Sequence, residues 1–90
     1  MKPTDTPKAN PAIGFREDFE DWAVLFDPNT TDAIGINPVG ALVWKSLDGS
    51  RNVSDLVTAV RAAFDDVPDT VADEVSAFLD TLAQKGFVSL

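Results

Sequence analysis

The stretch Asn37-Pro38-Val39-Gly40-Ala41-Leu42-Val43-Trp44 decides the fold, because it marks where a strand ends and a helix begins. Asn37 is a favourable N-cap residue, since its side chain can accept a backbone hydrogen bond. Pro38 has no amide hydrogen, which costs nothing at the first helical position. Gly49 lies where a left-handed C-terminal cap is expected. The segment therefore predicts a first helix that begins after Asn37 and ends near Gly49.

Two amphipathic helices are predicted downstream of that segment. Asn52 with Asp55 resembles a capping box at the start of the second helix, and Thr70 with Asp73 resembles one at the start of the third. Gly86 is expected to end the third helix. Each helix has one face of apolar residues at helical spacing. These residues are Val53, Leu56, Val57, Val60 and Phe64 in the second helix, and Val71, Val75, Phe78, Leu79 and Leu82 in the third.

Strands are predicted upstream of Asn37. Aromatic and β-branched residues between positions 15 and 26, interrupted by acidic residues, predict a hairpin, and a turn at residues 27–31 leads into a third strand at Ala33–Ile36. Residues 1–13 are rich in proline and predict a flexible tail, so the domain is expected to span residues 14–90. The predicted fold is α+β and winged-helix-like, with a three-stranded antiparallel sheet followed by three α-helices.

Composition limits the function classes. The chain has 90 residues, which is enough for one small domain, and its 15 acidic against 7 basic residues give a formal net charge of −8. That charge, together with an acidic third helix, disfavours nucleic acid as a partner. No cysteine or histidine is present, so disulfides, thiolate nucleophiles and the usual catalytic pairs are excluded. We expect a cytoplasmic protein, because no apolar run approaches the roughly 18 residues of a membrane span.

Catalytic and metal-binding groups are not evident in the sequence. The acidic residues between positions 65 and 74 lack the ligand pattern of a calcium loop, and complementarity with a helix N-terminus explains most of them. Glu74 borders an apolar stripe and is the nearest candidate for acid–base chemistry, which would require a buried carboxylate in a cleft. We expect no catalytic residue, no metal and no cofactor.

Gly35 points toward a binding function. A glycine inside a strand marks either a bulge or a place where another backbone comes close. If Ala33–Ile36 is an exposed edge, its backbone groups form a template for an added strand, and proline at Ile34 is expected to remove an edge amide. The bulge and the docking edge both remain open at this point.

Over residues 15–88 the sequence resembles the PqqD-like peptide chaperone family, also described as the recognition element of systems that modify ribosomally made peptides. The matching segments, in the family's order and spacing, are residues 36–44, 47–53 and 74–79, with Leu82 and Gly86-Phe87. The sequence departs from the family's pattern at three positions. Asn52 stands where the family prefers Thr or Ser, Glu74 where Asp is usual, and Ile36 where Leu is common. Each residue keeps the physical role of the one it replaces, namely a cap, a carboxylate and an apolar strand end.

The resemblance implies a domain that binds the leader of a precursor peptide as an added antiparallel strand and presents it to a modifying enzyme. In the namesake pathway that enzyme is a radical S-adenosylmethionine protein and the product is pyrroloquinoline quinone, whereas other members serve other peptides. The implied peptide-binding residues are Asp32, Ala33, Ile34, Gly35 and Ile36 on the third strand, and Val71, Glu74, Val75 and Phe78 on the third helix. Val71 and Glu74 are the preferred groove-facing positions, whereas core packing is favoured for Phe78 and Leu82.

Two other functions are compatible with the sequence. One is an acidic winged-helix regulator that binds protein without a leader peptide, and the other is a small carboxylate-based enzyme. The protein is expected to be a monomer or a weak homodimer, because an unpaired strand edge can also pair with a second copy.

Overall fold

Three strands and three helices form the framework of the domain, in the order that the sequence predicts. The computed structural model describes the backbone of residues 1–90 and every side chain except that of Phe19. Two further strands of two residues each lie at the two ends of the chain. The strands are β1 (Lys8–Ala9), β2 (Gly14–Glu17), β3 (Ala23–Phe26), β4 (Ala33–Ile36) and β5 (Val88–Ser89), and the helices are α1 (Pro38–Lys45), α2 (Val53–Ala63) and α3 (Val71–Gln84).

The main sheet has the strand order β2-β3-β4, and both pairings are antiparallel. Along the central strand β3, Ala23 and Leu25 are buried, whereas Phe26 on the opposite face is exposed. This alternation places one face of the sheet on the core. Leu25 lies opposite Phe15 of β2 and Ile34 of β4, so it supports both outer strands. The predicted hairpin and third strand are confirmed.

Helix α1 begins where the sequence predicts. The Gly40 N–H donates to Asn37 Oδ1 over 2.8 Å, and proline occupies the first helical position. The helix ends at Lys45, before the predicted end near Gly49, because Ser46 leaves the helical conformation with φ −98° and ψ 3°. Gly49 has a φ of 82° and therefore lies in the turn that follows α1 rather than at its C-cap.

One of the two predicted capping boxes is present. At the start of α2, the Asp55 N–H donates to Asn52 Oδ1 over 2.8 Å and the Asn52 N–H donates to Asp55 Oδ2 over 3.0 Å. Thr70 is the N-cap residue of α3, as predicted, but the predicted capping box is wrong, since the Thr70 side chain makes no capping hydrogen bond. Its φ of −82° and ψ of 3° lie outside the extended region that a capping residue uses. A turn precedes α3 instead, in which the Val71 N–H donates to the Pro68 carbonyl over 3.1 Å.

The segment before β2 packs against the domain. Strand β1 pairs with β5 in a separate two-stranded sheet, the Val53 N–H donates to the Asp5 carbonyl over 3.0 Å, and Pro7 is fully buried. This arrangement differs from the flexible tail predicted for residues 1–13. Prolines prevent a helix there, but the backbone of this segment finds hydrogen-bond partners at the start of α2 and at the end of the chain.

The core lies between the inner face of the main sheet and the three helices. Its largest fully buried side chains are Phe87, Leu25, Leu56, Leu79, Leu82, Val43 and Val60. Ile36 is also buried at 4% exposure, which fixes the end of β4 to the core. Among the described residues, no helix combines the length and the apolar character that crossing a membrane requires.

Candidate functional site

Strand β4 is an edge of the main sheet, and its register decides which backbone groups are free. The Asp27 N–H donates to the Asp32 carbonyl over 2.9 Å, and the pairing of β3 with β4 continues from there without interruption. Hydrogen-bonded and non-bonded pairs alternate in antiparallel strands, so the bonds within the sheet belong to Ile34 and Ile36. The N–H and C=O groups of Ala33 and Gly35 therefore point outward from the sheet.

This alternation corrects one expectation. The N–H of Ile34 faces Leu25 inside the sheet, so proline at Ile34 would break the pairing of β3 with β4 instead of removing an edge amide. The side chains alternate as well. Ile36 is buried and Ile34 is half-buried, whereas Ala33 and Gly35 are exposed.

Gly35 lies in a regular part of the strand. It pairs one-to-one with Val24, so the alternative of a bulge is wrong. A Cβ atom at Gly35 would meet no atom within 4 Å among the described residues beyond its chain neighbours. Packing within the domain therefore does not require glycine here, and the face of the sheet above Gly35 is open.

An apolar cavity of about 410 Å³ lies beyond the end of β4, between the first turn of α1, the end of α2 and the start of α3. Gly40 allows the start of α1 to approach the end of β4 and α3. A Cβ atom at that position would lie 3.2 Å from Ile36 Cβ and 3.4 Å from Phe78 Cζ. The cavity is lined by Asn37, Val39, Gly40, Val43, Val60, Phe64, Asp65, Asp66, Val67, Pro68, Val71, Glu74, Val75 and Phe78.

The predicted site residues divide between the edge and the cavity. All four on α3, which are Val71, Glu74, Val75 and Phe78, line the cavity. Asp32 and the residues of β4 do not line it, although Asn37, which follows β4 directly, does. Phe78 is half-buried and not fully in the core, whereas Leu82 is fully buried as predicted. Val71 is 3% exposed, so it forms the cavity floor and also belongs to the core.

Sequence reasoning missed the part of the cavity wall that lies outside α3. Besides the end of α2, it consists of the start of α1, including Val39, and the connection between α2 and α3, including Val67. Both valines are half-buried. The sequence contains a weak signal for both residues. Val67 is an apolar residue in a polar connection, and Val39 lies outside the predicted apolar stripe of α1. Such positions indicate partial burial, but they do not show which residues they pack against.

The rim of the cavity is negatively charged. Asp65 and Asp66 lie just after α2, Glu74 lies in the first turn of α3, and all three are exposed. None of the residues that line the cavity is basic. The structure thus combines an uncharged strand edge with an apolar cavity that has an acidic rim.

A perturbed carboxylate occurs elsewhere, in the turn between α1 and α2. The Ser50 backbone N–H and side-chain hydroxyl both donate to Asp48 Oδ1, and they lower the pKa of this carboxyl below its usual value. Asp48 is exposed and is not among the residues that line the cavity. Its pKa is therefore explained by a local turn and does not indicate acid–base chemistry.

The family model described as "Coenzyme PQQ synthesis protein D (PqqD)" matches residues 23–88. This chain belongs to the PqqD family. The match covers β3, β4 and all three helices, which include the edge and the cavity. It confirms the resemblance that the sequence segments indicate. A comparison with curated proteins gives no significant match.

Solved structures share the fold of this PqqD-family chain. One is described as TbiB1 in complex with the TbiA(beta) leader peptide, with 26% identity and a TM-score of 0.73 over 91% of this chain and 94% of that chain. Another is a lasso peptide synthetase B1 complexed with the leader peptide, with 15% identity and a TM-score of 0.74 over 94% and 99%. The heterocyclase TruD matches with 13% identity and a TM-score of 0.63 over 94% of this chain and 11% of its own length.

Proposed function

We propose that this domain binds the leader of a ribosomally made precursor peptide as an added antiparallel strand on β4 and presents it to a modifying enzyme. The observation that carries the proposal is the unpaired and uncharged edge of β4, which leads directly into an apolar cavity. Two structural relatives are described as complexes with leader peptides, which supports the same kind of ligand here.

Backbone hydrogen bonds would supply the part of the affinity that does not depend on sequence. Ala33 and Gly35 together offer two N–H donors and two C=O acceptors on the outer side of β4. An extended peptide satisfies such groups when it adds to a sheet edge. Gly35 has no side chain of its own that could obstruct a backbone docking at this point.

Side chains of the leader would supply selectivity. An added strand presents alternate side chains on one face, and those near the end of β4 would enter the cavity beside Phe78. Val71 and Val75 form the apolar floor that would receive them. Because both valines also belong to the core, the floor is already formed in the free protein.

The domain would act by binding and would not itself catalyse the modification. The chain contains no histidine or cysteine, and the acids on the cavity rim are exposed. The chemistry would belong to a partner enzyme, for which we propose a radical S-adenosylmethionine enzyme or another peptide-modifying enzyme. A second copy of the chain would compete with the leader for β4, so we propose that the peptide-bound form is a monomer.

A reconstitution tests the proposal. The precursor peptide and the modifying enzyme encoded near this protein's gene are mixed with and without the protein, and the rate of modification is measured. We expect the protein to raise the rate and a separate excess of leader peptide to suppress the increase. In fluorescence anisotropy, the leader segment should bind and the core segment alone should not. Equal binding of both segments, or an unchanged rate, would contradict the proposal.

A further inference from the structure

The cavity beyond the end of β4 combines an apolar floor with a charged rim. Its floor is apolar, its rim carries Asp65, Asp66 and Glu74, and no residue that lines it is basic. Among the described side chains, the ion pairs are those of the Met1 amino group with Asp80 and of Lys45 with Glu17. The three rim carboxylates therefore have no cationic partner in this part of the structure.

We infer that the peptide segment recognised here carries a Lys or Arg within two residues of a bulky apolar side chain. This inference rests on the proposed function. The apolar side chain fills the cavity, and the basic group lies at the rim between the connection after α2 and the first turn of α3. The chemical class of the ligand is thus a basic and apolar extended peptide.

The size and lining of the cavity favour a bulky apolar side chain. A volume of about 410 Å³ lies within the range of small-ligand pockets, roughly 300–1,000 Å³. Val60, Val71 and Val75 are buried in its floor, and the ring of Phe78 forms part of the wall. A polar side chain in this position would lose its hydration without gaining a hydrogen-bond partner from these four residues.

The geometry of an added strand sets the spacing between the two side chains. Successive side chains on one face of a strand are about 7 Å apart, because each residue rises about 3.3 Å. The rim carboxylates and the apolar floor line the same cavity, so one extended segment can reach both. A long basic side chain can lay its methylene groups along the apolar wall while its charge stays at the exposed rim.

The negative charge of the rim and of the whole domain disfavours two other ligands of the cavity, an acidic peptide and a second copy of the chain. An acidic peptide at this position would place like charges beside three carboxylates in a chain whose formal net charge is −8. A second copy of this chain would bring the same excess of acidic residues to the edge. A basic peptide is attracted both by the rim and by the charge of the whole domain.

The experiment selects peptides from a randomised library of extended ten-residue sequences by display on the wild-type protein. The selection is repeated on the variant Asp65→Asn, Asp66→Asn, Glu74→Gln and on a matched control, Asp18→Asn, Glu20→Gln, Asp21→Asn. Both variants change the net charge equally, and the control changes the acidic residues between β2 and β3. We expect Lys or Arg within two positions of a bulky apolar residue in wild-type and control selections, and loss of the basic residue from the rim-variant selection.

The affinity of a selected peptide gives the size of the effect. Neutralising the rim should weaken binding about tenfold at low salt, because exposed charge pairs contribute modestly and are screened by salt. Replacing the basic residue of the peptide by glutamine should produce the same loss in wild-type protein, and this measurement does not depend on how the variants fold. The rim variant and the changed peptide should show no further loss when combined.

The outcomes separate this inference from the proposed function. Peptides that bind β4 without a basic residue, or with equal affinity for the rim variant, would overturn the inference and leave the binding mode intact. An equal loss in the control variant would also overturn it, because the field of the whole domain would then be responsible. If the selected peptides do not protect the amides of β4 from hydrogen exchange, the proposed function fails as well.

Discussion

The strands β2 and β4 form the two edges of one sheet, yet they differ in charge and surroundings. On β2, the bond from the Asp18 N–H to the Trp22 carbonyl fixes the alternation, so the outward backbone groups belong to Phe15 and Glu17. This edge carries Arg16 and Glu17, both exposed. The edge of β4 carries no charged residue and leads into the apolar cavity.

The two edges therefore differ in how readily each could accept an added strand. Charged side chains on an edge strand oppose the addition of another strand, and natural proteins use them for that purpose. Glu17 also forms an ion pair with Lys45 of α1. The same sheet therefore has one charged edge and one uncharged edge, and the uncharged edge is followed directly by Asn37, which lines the cavity.

The largest effect is expected from the strand that supports both edges. Leu25→Ala removes a fully buried side chain from the centre of β3 and should lower the free energy of unfolding by about 2–5 kcal/mol. Chemical denaturation measures this loss. Val24→Ala on the same strand is the control, because Val24 is only half-buried and should cost less. Equal losses for the two variants would contradict the assignment of the faces of β3.

The second prediction distinguishes the two edges directly. Gly35→Pro removes an outward N–H from β4 and places a ring on the edge, so the Kd for the leader peptide should rise at least about tenfold. Glu17→Pro makes the same change on β2 and should leave the Kd within about twofold, since a lost surface ion pair has little effect. Titration calorimetry measures both. Similar affinities of the two variants for the leader peptide would contradict the claim that the leader binds β4 and not β2.

The third prediction compares two half-buried aromatic residues. Phe78→Ala removes part of the cavity wall beside β4 and should weaken leader binding about fivefold, because apolar contact area is lost. Phe15→Ala on β2 should lower stability and leave affinity unchanged while the protein stays folded. Fluorescence anisotropy with labelled leader tests the pair. A weaker binding of the Phe15 variant than of the Phe78 variant would contradict the location of the groove.

The smallest effect concerns two helix caps of the same kind. Asn37→Ala and Asn52→Ala each remove a side-chain acceptor for a backbone N–H, and each should lower stability by about 1 kcal/mol. Only Asn37 ends β4 and lines the cavity, so only its variant should also weaken leader binding, by about twofold. Thermal unfolding and calorimetry measure the two quantities. An affinity loss at Asn52 of the same size would show that the effect is not local.

The sequence predicts the parts of the fold that depend on local hydrogen bonds. Asn37 and Asn52 cap their helices as expected, because a capping bond joins residues three positions apart. Thr70 has the right residue type, but the preceding turn gives it the wrong backbone conformation. Strands β1 and β5 are too short for any periodicity to appear, and their pairing joins the two ends of the chain.

In the candidate site, too, the local features can be predicted from the sequence and the long-range ones cannot. The edge strand around Gly35 is visible in the sequence, and the motif beginning at Asn37 fixes where it ends. The outward direction of the Ala33 and Gly35 amides is not visible, because it depends on the register with β3. The wall formed by Val39 and Val67 depends on tertiary packing between separate elements, which no local pattern encodes.

The most direct test of leader docking on β4 is amide hydrogen exchange measured by NMR with and without the leader peptide. Outward amides of an unpaired edge exchange readily, and an added strand protects them. We predict that the peptide slows exchange at Ala33 and Gly35 and leaves exchange at Phe15 and Glu17 unchanged. Protection at Phe15 and Glu17, or no added protection at Ala33 and Gly35 when the peptide is bound, would contradict this account.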